Sequence, residues 1–279
     1  MAVPLQTLEE LAGEIKKLSE LIAAQDAAAL PMLKVRRVRG TIKEACGKLE
    51  KLIADLDPIK HPGVVFDPSN PNVVGRVVAI TLIAQPRKQL ASVERFYGSG
   101  VYAIYYNGNF KPYQQLSKRE HPLYVGKADP TDPSAKTVHE QGDRLANRLN
   151  DHRRNVSKVA ATLQLQDFEY RALVVQSGWQ TSAEDYLIDL FKPIWNNEID
   201  ICYGFGKHGD DPDTRANLRS PWDTLHHGRE WSHRDKNMRD AKTKGEIITE
   251  IQEHLKQYPP FQSVDQILKR FLEEIRAVS

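Results

Sequence analysis

Two tyrosines stand in short runs of β-branched and aromatic residues: Tyr102 in GVYAIYY from Gly100, and Tyr124 in PLYVGKA from Pro122. Further along, Arg148 and His152 are four residues apart and so share one face of a helix, with Arg144 a turn earlier. Such a line of cationic groups suits a phosphate. Taken singly, each feature has a plainer reading. The arginines could form a solvated basic face, and the tyrosines could simply pack a sheet. Glu184, in the first turn of a later helix, could be an acid favoured by the helix dipole. Several familiar schemes are absent: there is no H-E-x-x-H, no G-x-x-x-x-G-K-[ST] and no G-x-S-x-G. Of nine histidines only His226 and His227 are adjacent, which is not metal-ligand spacing.

The elements that must position these groups read in the order β-β-α-β-α. Strands are expected at 100–106, 122–128 and 168–175, and helices at 143–156 and 181–191, the second opening on a Thr181-to-Glu184 capping pattern. Ahead of them, Leu8, Leu11, Ile15, Leu18 and Ile22 form one a/d stripe, and Ile42, Ala45, Leu49, Leu52 and Leu56 a second. Pro31 falls between the two stripes and Pro58 closes the second. This predicts a helical hairpin over 1–60, packed on the main domain or on a second subunit, or an ordinary amphipathic pair. The proline-rich stretch 61–72 marks a boundary. The segment 73–84 has strand-like β-branching but helix-like spacing of Val74, Val77, Val78 and Leu82. The region 196–240 has little periodicity, and Trp222 and Trp231 within it argue for order. Two amphipathic helices are expected in the tail, 241–279, the last with Ser263 and Gln266 as its capping pair.

Composition bounds the class. A chain of 279 residues, 40% hydrophobic and 27% charged, suits an ordinary globular protein. Cys46 and Cys202 are far apart, so neither a disulfide framework nor a cysteine zinc site is expected. The first residues lack a signal-peptide pattern, and no stretch approaches the roughly 20 apolar residues of a membrane span. A cytoplasmic protein without membrane association is expected. The net charge of +2 excludes a strongly polycationic binder and nothing more. Residues 143–158 hold Arg144, Arg148, Arg153, Arg154 and Lys158 against Asp143 and Asp151, a local positive excess that the whole-chain total hides.

Gly100-Val101-Tyr102 followed by Tyr124-Val125-Gly126 resembles the two strand motifs that name the GIY-YIG nuclease superfamily. Valine stands for isoleucine in both, which preserves β-branched packing. That family places an arginine on the next helix, a metal-binding glutamate on a later one and an asparagine soon after; the matching positions here are Arg148, Glu184 and Asn196. The step of four residues from Arg148 to His152 and of twelve from Glu184 to Asn196 resembles the restriction-endonuclease branch, as does Ser220-Pro221-Trp222-Asp223 with Leu225-His226 and Gly228-Arg229 after it. The resemblance covers roughly 72–240 and implies an α+β fold: a small three-stranded antiparallel sheet flanked by helices, with the hairpin and the tail as additions. The loop 107–121 is longer than the short turn of many members.

The implied activity is that of a type II restriction endonuclease hydrolysing double-stranded DNA. Glu184 would hold Mg²⁺, with Mn²⁺ as a substitute, and Arg148 would bind the non-bridging oxygens. Tyr102 is the expected general base, its pKa lowered by Lys127; Tyr124 and His152 would orient water and phosphate or relay protons, either being an alternative base, and Asn196 would brace the site. Sequence reading is assigned to 204–234, with Lys207, His208, Arg215, Asn217, Arg219, His226, His227 and Arg229 as DNA contacts. Its arginines suggest a G·C-rich, palindromic site. Palindromy implies a homodimer or higher homo-oligomer, and a cognate DNA methyltransferase as functional partner. A repair or homing nuclease on the same core, or a non-catalytic DNA-binding protein, are the alternatives.

Overall fold

The computed structural model describes residues 5–23, 32–56, 70–176, 178–206, 218–233 and 238–277, with Ile59 and Asp67. The chain divides into two units, Met1–His61 and Pro62–Ser279. The first holds α1 (Leu5–Ala23) and α2 (Met32–Leu56), so the second helix begins well before the stripe that announced it. On these helices Leu11, Leu18, Ile42, Ile53 and Leu56 are exposed.

The second unit is built on an antiparallel sheet in the order β1-β4-β2-β3. Its strands are β1 (Lys88–Gln89), β2 (Gly100–Tyr106), β3 (Tyr124–Ala128) and β4 (Phe168–Val174). The three expected strands are therefore present, and a two-residue edge strand joins β4. Central β2 is buried at every position, and its two faces enter different cores because side chains alternate along a strand. Tyr102, Ile104 and Tyr106 face α4 (Arg144–Ser157) and an aromatic cluster containing Trp195, Phe205 and Trp222. Val101, Ala103 and Tyr105 face α3 (Pro71–Ile83) and α5 (Gln180–Phe191).

The ambiguous segment 73–84 is helical. Asn70 caps it and Pro71 opens it, and Ala79, Leu82 and Ile83 bury a helix face. Tertiary burial outweighs the β-preference of its valines. Gly75 permits close approach to α5, since a Cβ there would lie 2.6 Å from the Ser182 carbonyl oxygen. Helix α5 starts one residue before the expected capping pattern, with Trp179 at its N-cap and no side-chain cap; Thr181 has another use, described below.

Short 3-10 turns aside, the remaining described elements are β5 (Leu218–Arg219), α6 (Pro221–Leu225), β6 (Arg239–Asp240), α7 (Lys244–Gln257) and α8 (Val264–Ala277). Ile247, Ile251 and Leu255 of α7 complete the core on the α4 side, and Ile267 of α8 joins the other core. Trp222 is fully buried, as its role in ordering the aperiodic region requires; the side chain of Trp231 lies outside the described residues. No helix among the described residues is long and apolar enough to cross a membrane.

The long loop 107–121 is a structural component. Tyr113 is fully buried, and its oxygen accepts from Trp195 Nε1 at 2.9 Å while lying 2.6 Å from His226 Nε2 and 3.6 Å from Cys202 Sγ. His226 Nδ1 lies 3.0 Å from Thr162 Oγ1. Elsewhere His121 is packed between Phe191 and Phe261. Burial pushes His121 and His226 down to about 3, so both are neutral in the native protein. Unfolding restores the ordinary value near 6.5, so the unfolded chain binds more protons between these limits. The stability conferred by the neutral rings is present above pH 6.5 and declines as the pH falls towards 3. Urea unfolding should show a loss of about 2 kcal/mol per histidine between pH 7 and pH 5. A flat profile in that window would disprove the assignment.

Candidate active site

Tyr102 and Tyr124 reach the same face through the strand register, in which Tyr102 opposes Gly126 and Ile104 opposes Tyr124. Their ring centroids are 6.1 Å apart. Glycine at 126 is required by the phenol above it: a Cβ there would lie 2.4 Å from Tyr102 Oη. Gly100 has a similar origin, since a Cβ would lie 2.0 Å from the Leu173 carbonyl oxygen of β4.

Helix α4 lays His152 and Arg148 across the two phenols. Tyr102 Oη is 2.6 Å from His152 Nε2, and the imidazole centroid is 5.3 Å from the Tyr102 ring and 5.1 Å from that of Tyr124. Arg148 is a hydrogen-bond and charge partner of both phenolic oxygens. Glu184, on the second turn of α5, is near enough for its charge to act on both tyrosines. Tyr102 and His152 are fully enclosed, whereas Tyr124, Arg148 and Glu184 keep part of their surface open to solvent. The five groups therefore converge from β2, β3, α4 and α5.

Burial pushes the Tyr102 hydroxyl well above its ordinary value; the neighbouring Tyr124 adds to this, and Arg148 only partly offsets it. Tyr124 is also raised, mainly by burial. The expectation of a phenol acidified by Lys127 is therefore corrected. Lys127 pairs with Val101 in the register and lies on the opposite face of the sheet from Tyr102, because three residues along a strand reverse the side. Its Nζ instead donates to Asp129 Oδ2 and Thr181 Oγ1, both at 2.9 Å, joining β3 to the start of α5. The cation beside the phenols is Arg148.

Asn196 is a brace. Its Oδ1 accepts from the Val125 N–H at 2.9 Å, and its Nδ2 donates to the Val125 carbonyl at 2.8 Å, which pins β3 at the middle of the second motif. Since β3 is the sheet edge, these two bonds satisfy a peptide that has no further strand beside it.

The expected DNA-contacting residues divide. Lys207, His208, Arg215 and Asn217 lie outside the described residues. His227 is exposed, as a contact residue must be. His226 and Arg229 are corrected to interior positions: His226 is enclosed between Tyr113 and Thr162, and Arg229 is 1% exposed and paired with Asp223. A side chain without accessible surface, its polar atoms engaged inside the protein, cannot read a base edge. Arg219 donates from Nε to the Ser232 carbonyl and from Nη1 to Asp240, binding β5 to β6. Asp240 carried no local signal, because its separation from Arg219 is set by the fold; Asp223 stood in the quoted motif, but nothing in the sequence paired it with Arg229.

Among the described residues no cluster of three or more His, Cys, Asp or Glu could hold a metal ion. A lone carboxylate such as Glu184 does not meet the needs of Zn²⁺, which takes three or four protein ligands. It does suit a hard cation that keeps most of its waters and takes the rest from a substrate phosphate, as Mg²⁺ does.

An antiparallel sheet carrying paired tyrosines, with an arginine on the next helix and one glutamate on a later helix, defines a GIY-YIG nuclease. The family model for the Eco29kI GIY-YIG domain matches residues 94–255, more than half of the chain. The protein belongs to that family, a GIY-YIG family of type II restriction endonucleases. The match extends into α7, as far as Leu255, the last of the α7 residues in the core. No curated protein matches the chain.

Proposed function

We propose that this restriction-type nuclease is Mg²⁺-dependent and cuts double-stranded DNA at a specific palindromic site. The observation that carries the reading is the convergence of Tyr102, Tyr124, Arg148, His152 and Glu184 on one cluster that is partly open to solvent at Tyr124, Arg148 and Glu184. Hydrolysis of a phosphodiester needs an activated water, stabilisation of the pentacovalent phosphorus and protonation of the leaving oxygen. Arg148 holds the non-bridging oxygens, most strongly as charge builds on them. Glu184 would hold the metal, which would supply Lewis-acid stabilisation of the developing charge.

Tyr102 is the proposed base, acting with His152. A standing phenolate is disfavoured by burial, so the proton must move on as it arrives. The phenol oxygen takes a proton from water while its own passes across the 2.6 Å contact to His152 Nε2. Arg148 is hydrogen-bonded to both phenols in the free protein, so a phosphate that takes up its guanidinium acts directly beside them. Tyr124, which already has open surface, orients the water or the phosphate.

One site per chain and two strands to cut call for two chains related by a two-fold axis, matching a palindrome. The exposed apolar residues of α1 and α2 support a subunit interface there. Of the three arginines behind the expected G·C-rich site, two are engaged within the protein, which leaves that expectation to the family resemblance, and no base composition is proposed. A cytoplasmic protein acting beside a protecting methyltransferase completes the reading.

Digestion of plasmid DNA tests it. With Mg²⁺ the wild type should give discrete fragments; random nicking would favour the repair-nuclease alternative, and retention without cleavage a binding protein. Tyr102→Phe should lower the single-turnover rate by about 10²- to 10⁴-fold, the usual worth of a general base, and Tyr124→Phe by less. Wild-type rates in Tyr102→Phe would remove Tyr102 from the role.

A further inference from the structure

The segment Gly204-Phe205-Gly206 was conspicuous in the sequence only as part of an aperiodic stretch, yet it forms the wall behind the reacting groups. Phe205 is fully buried, and its ring lies almost parallel to the imidazole of His152, with centroids 4.5 Å apart and planes 16° apart. The same ring meets Tyr124 edge-on at 5.3 Å and rests on Trp195 and Trp222 at 4.5 and 5.4 Å.

Both flanking glycines are dictated by this placement. Gly204 has φ +108, and a Cβ on it would lie 2.3 Å from Ser220 Oγ. At Gly206 a Cβ would lie 2.7 Å from Tyr124 Oη and 3.5 Å from Arg148 Nη2, so the backbone there runs directly beside the two partly exposed site residues.

The backbone of the segment is clamped from two sides. Asn155, three residues after His152 on α4, donates from Nδ2 to the Phe205 carbonyl at 3.1 Å. Arg229 donates from Nη2 to the Gly204 carbonyl at 2.8 Å and is itself gripped by Asp223, with Nε to Oδ1 and Nη2 to Oδ2 both at 2.6 Å. Ser220 Oγ donates to the same carboxylate at 2.5 Å. This buried, bidentate pair is costly to desolvate and holds one geometry when fully hydrogen-bonded.

We propose that Phe205 is a positioning residue of the catalytic site, held by the Arg229–Asp223 clamp so that its ring fixes the plane of His152 against Tyr102 Oη. The inference rests on the nuclease reading above and assigns a role to the motif Ser220-Pro221-Trp222-Asp223 with Arg229: these residues serve the reaction through Phe205 without touching DNA. An imidazole that can rotate about its χ angles loses the aligned contact with the phenol, and a misplacement of about 1 Å can lower a rate by about 10²-fold.

The test uses the full chain with Phe205→Leu, which keeps apolar volume and removes the ring, and with Phe205→Met, which fills irregular space, should the leucine variant not fold. Cleavage of plasmid DNA in Mg²⁺ should show kcat lowered by about 10²-fold with KM changed less than about twofold, since ground-state binding is untouched. In the protein without metal or DNA, the ring ¹⁵N–¹H signals of His152 should move or broaden while those of His226 stay. An unchanged kcat, or a kcat loss that merely tracks the folded fraction with His152 signals unmoved, would overturn the proposal. If the wild type itself cuts no DNA, the nuclease reading fails instead, and the ring signals still decide whether Phe205 holds His152.

Discussion

Glu184→Ala is expected to fold, to bind DNA and to lose Mg²⁺-dependent cleavage by about 10³-fold, the scale on which removing a preorganised electrostatic partner acts. The side chain sits on the second turn of α5 with part of its surface open. Alanine is the best helix former, and the buried face of α5 is made by Ala183, Leu187, Ile188 and Phe191, so the substitution should leave the helix and its packing intact. The chemical loss should be large because no cluster of acids or histidines stands ready to replace it among the described residues. Removing the carboxylate also removes a negative charge that acts on Tyr102 and Tyr124. Single-turnover cleavage, thermal melting and DNA retention measured together separate the cases. Cleavage at near wild-type rate would exclude Glu184 as the metal-holding residue. Loss of cleavage together with a collapsed melting temperature would mark it as structural.

Gly126→Ala should lower cleavage by about 10²-fold and stability by about 1–3 kcal/mol. The added methyl would sit 2.4 Å from Tyr102 Oη, 2.7 Å from its Cζ and 2.9 Å from Tyr124 Cε1. The Tyr102 ring cannot withdraw freely: it is enclosed, and its hydroxyl is committed to His152 at 2.6 Å. Relief therefore comes from shifting β3 or breaking the phenol–imidazole contact, and both disturb the site. Adding Tyr102→Phe to Gly126→Ala should recover part of the stability, by removing the atom most crowded, and none of the activity. Strict additivity of the two stability changes would show that the methyl and the hydroxyl do not meet.

Much of this site was legible in short-range pattern. A strand alternates sides every residue, so Tyr102 with Ile104 and Tyr106 necessarily shared a face. A helix returns every three to four residues, so Arg148 and His152 necessarily lay together. The two motifs with Arg148, Glu184 and Asn196 behind them were sufficient to identify the family, and the paired strands, α4 and α5 appear where periodicity placed them. The segment 73–84 was undecided because its valines favour a strand while its spacing favours a helix; Asn70, Pro71 and the burial of Ala79 and Leu82 resolve it.

What failed were the assignments of individual partners that the family pattern did not supply. Lys127 was matched to Tyr102 by counting along a strand, but the pleat turns it to the other face, and Thr181, read as a cap, is its partner. His226 and Arg229 looked like readers of DNA because histidine and arginine in an aperiodic, polar stretch suggest a surface. Their partners, Tyr113 and Asp223, are supplied by the fold, and with those partners they can be buried. Phe205 carried no signal, since an aromatic in a loop is ordinary until it is found against His152. The sequence by itself determined the chemistry available and the faces that carry it, because periodicity is a property of the local backbone. Only the tertiary structure decided that Arg148 is the cation beside the phenols, which arginines are spent inside the protein, and that a buried ring stands behind the imidazole. Most of those contacts join residues far apart in sequence, and even for Arg229 and Asp223, which are close in sequence, desolvation and pairing, not spacing, select the partner.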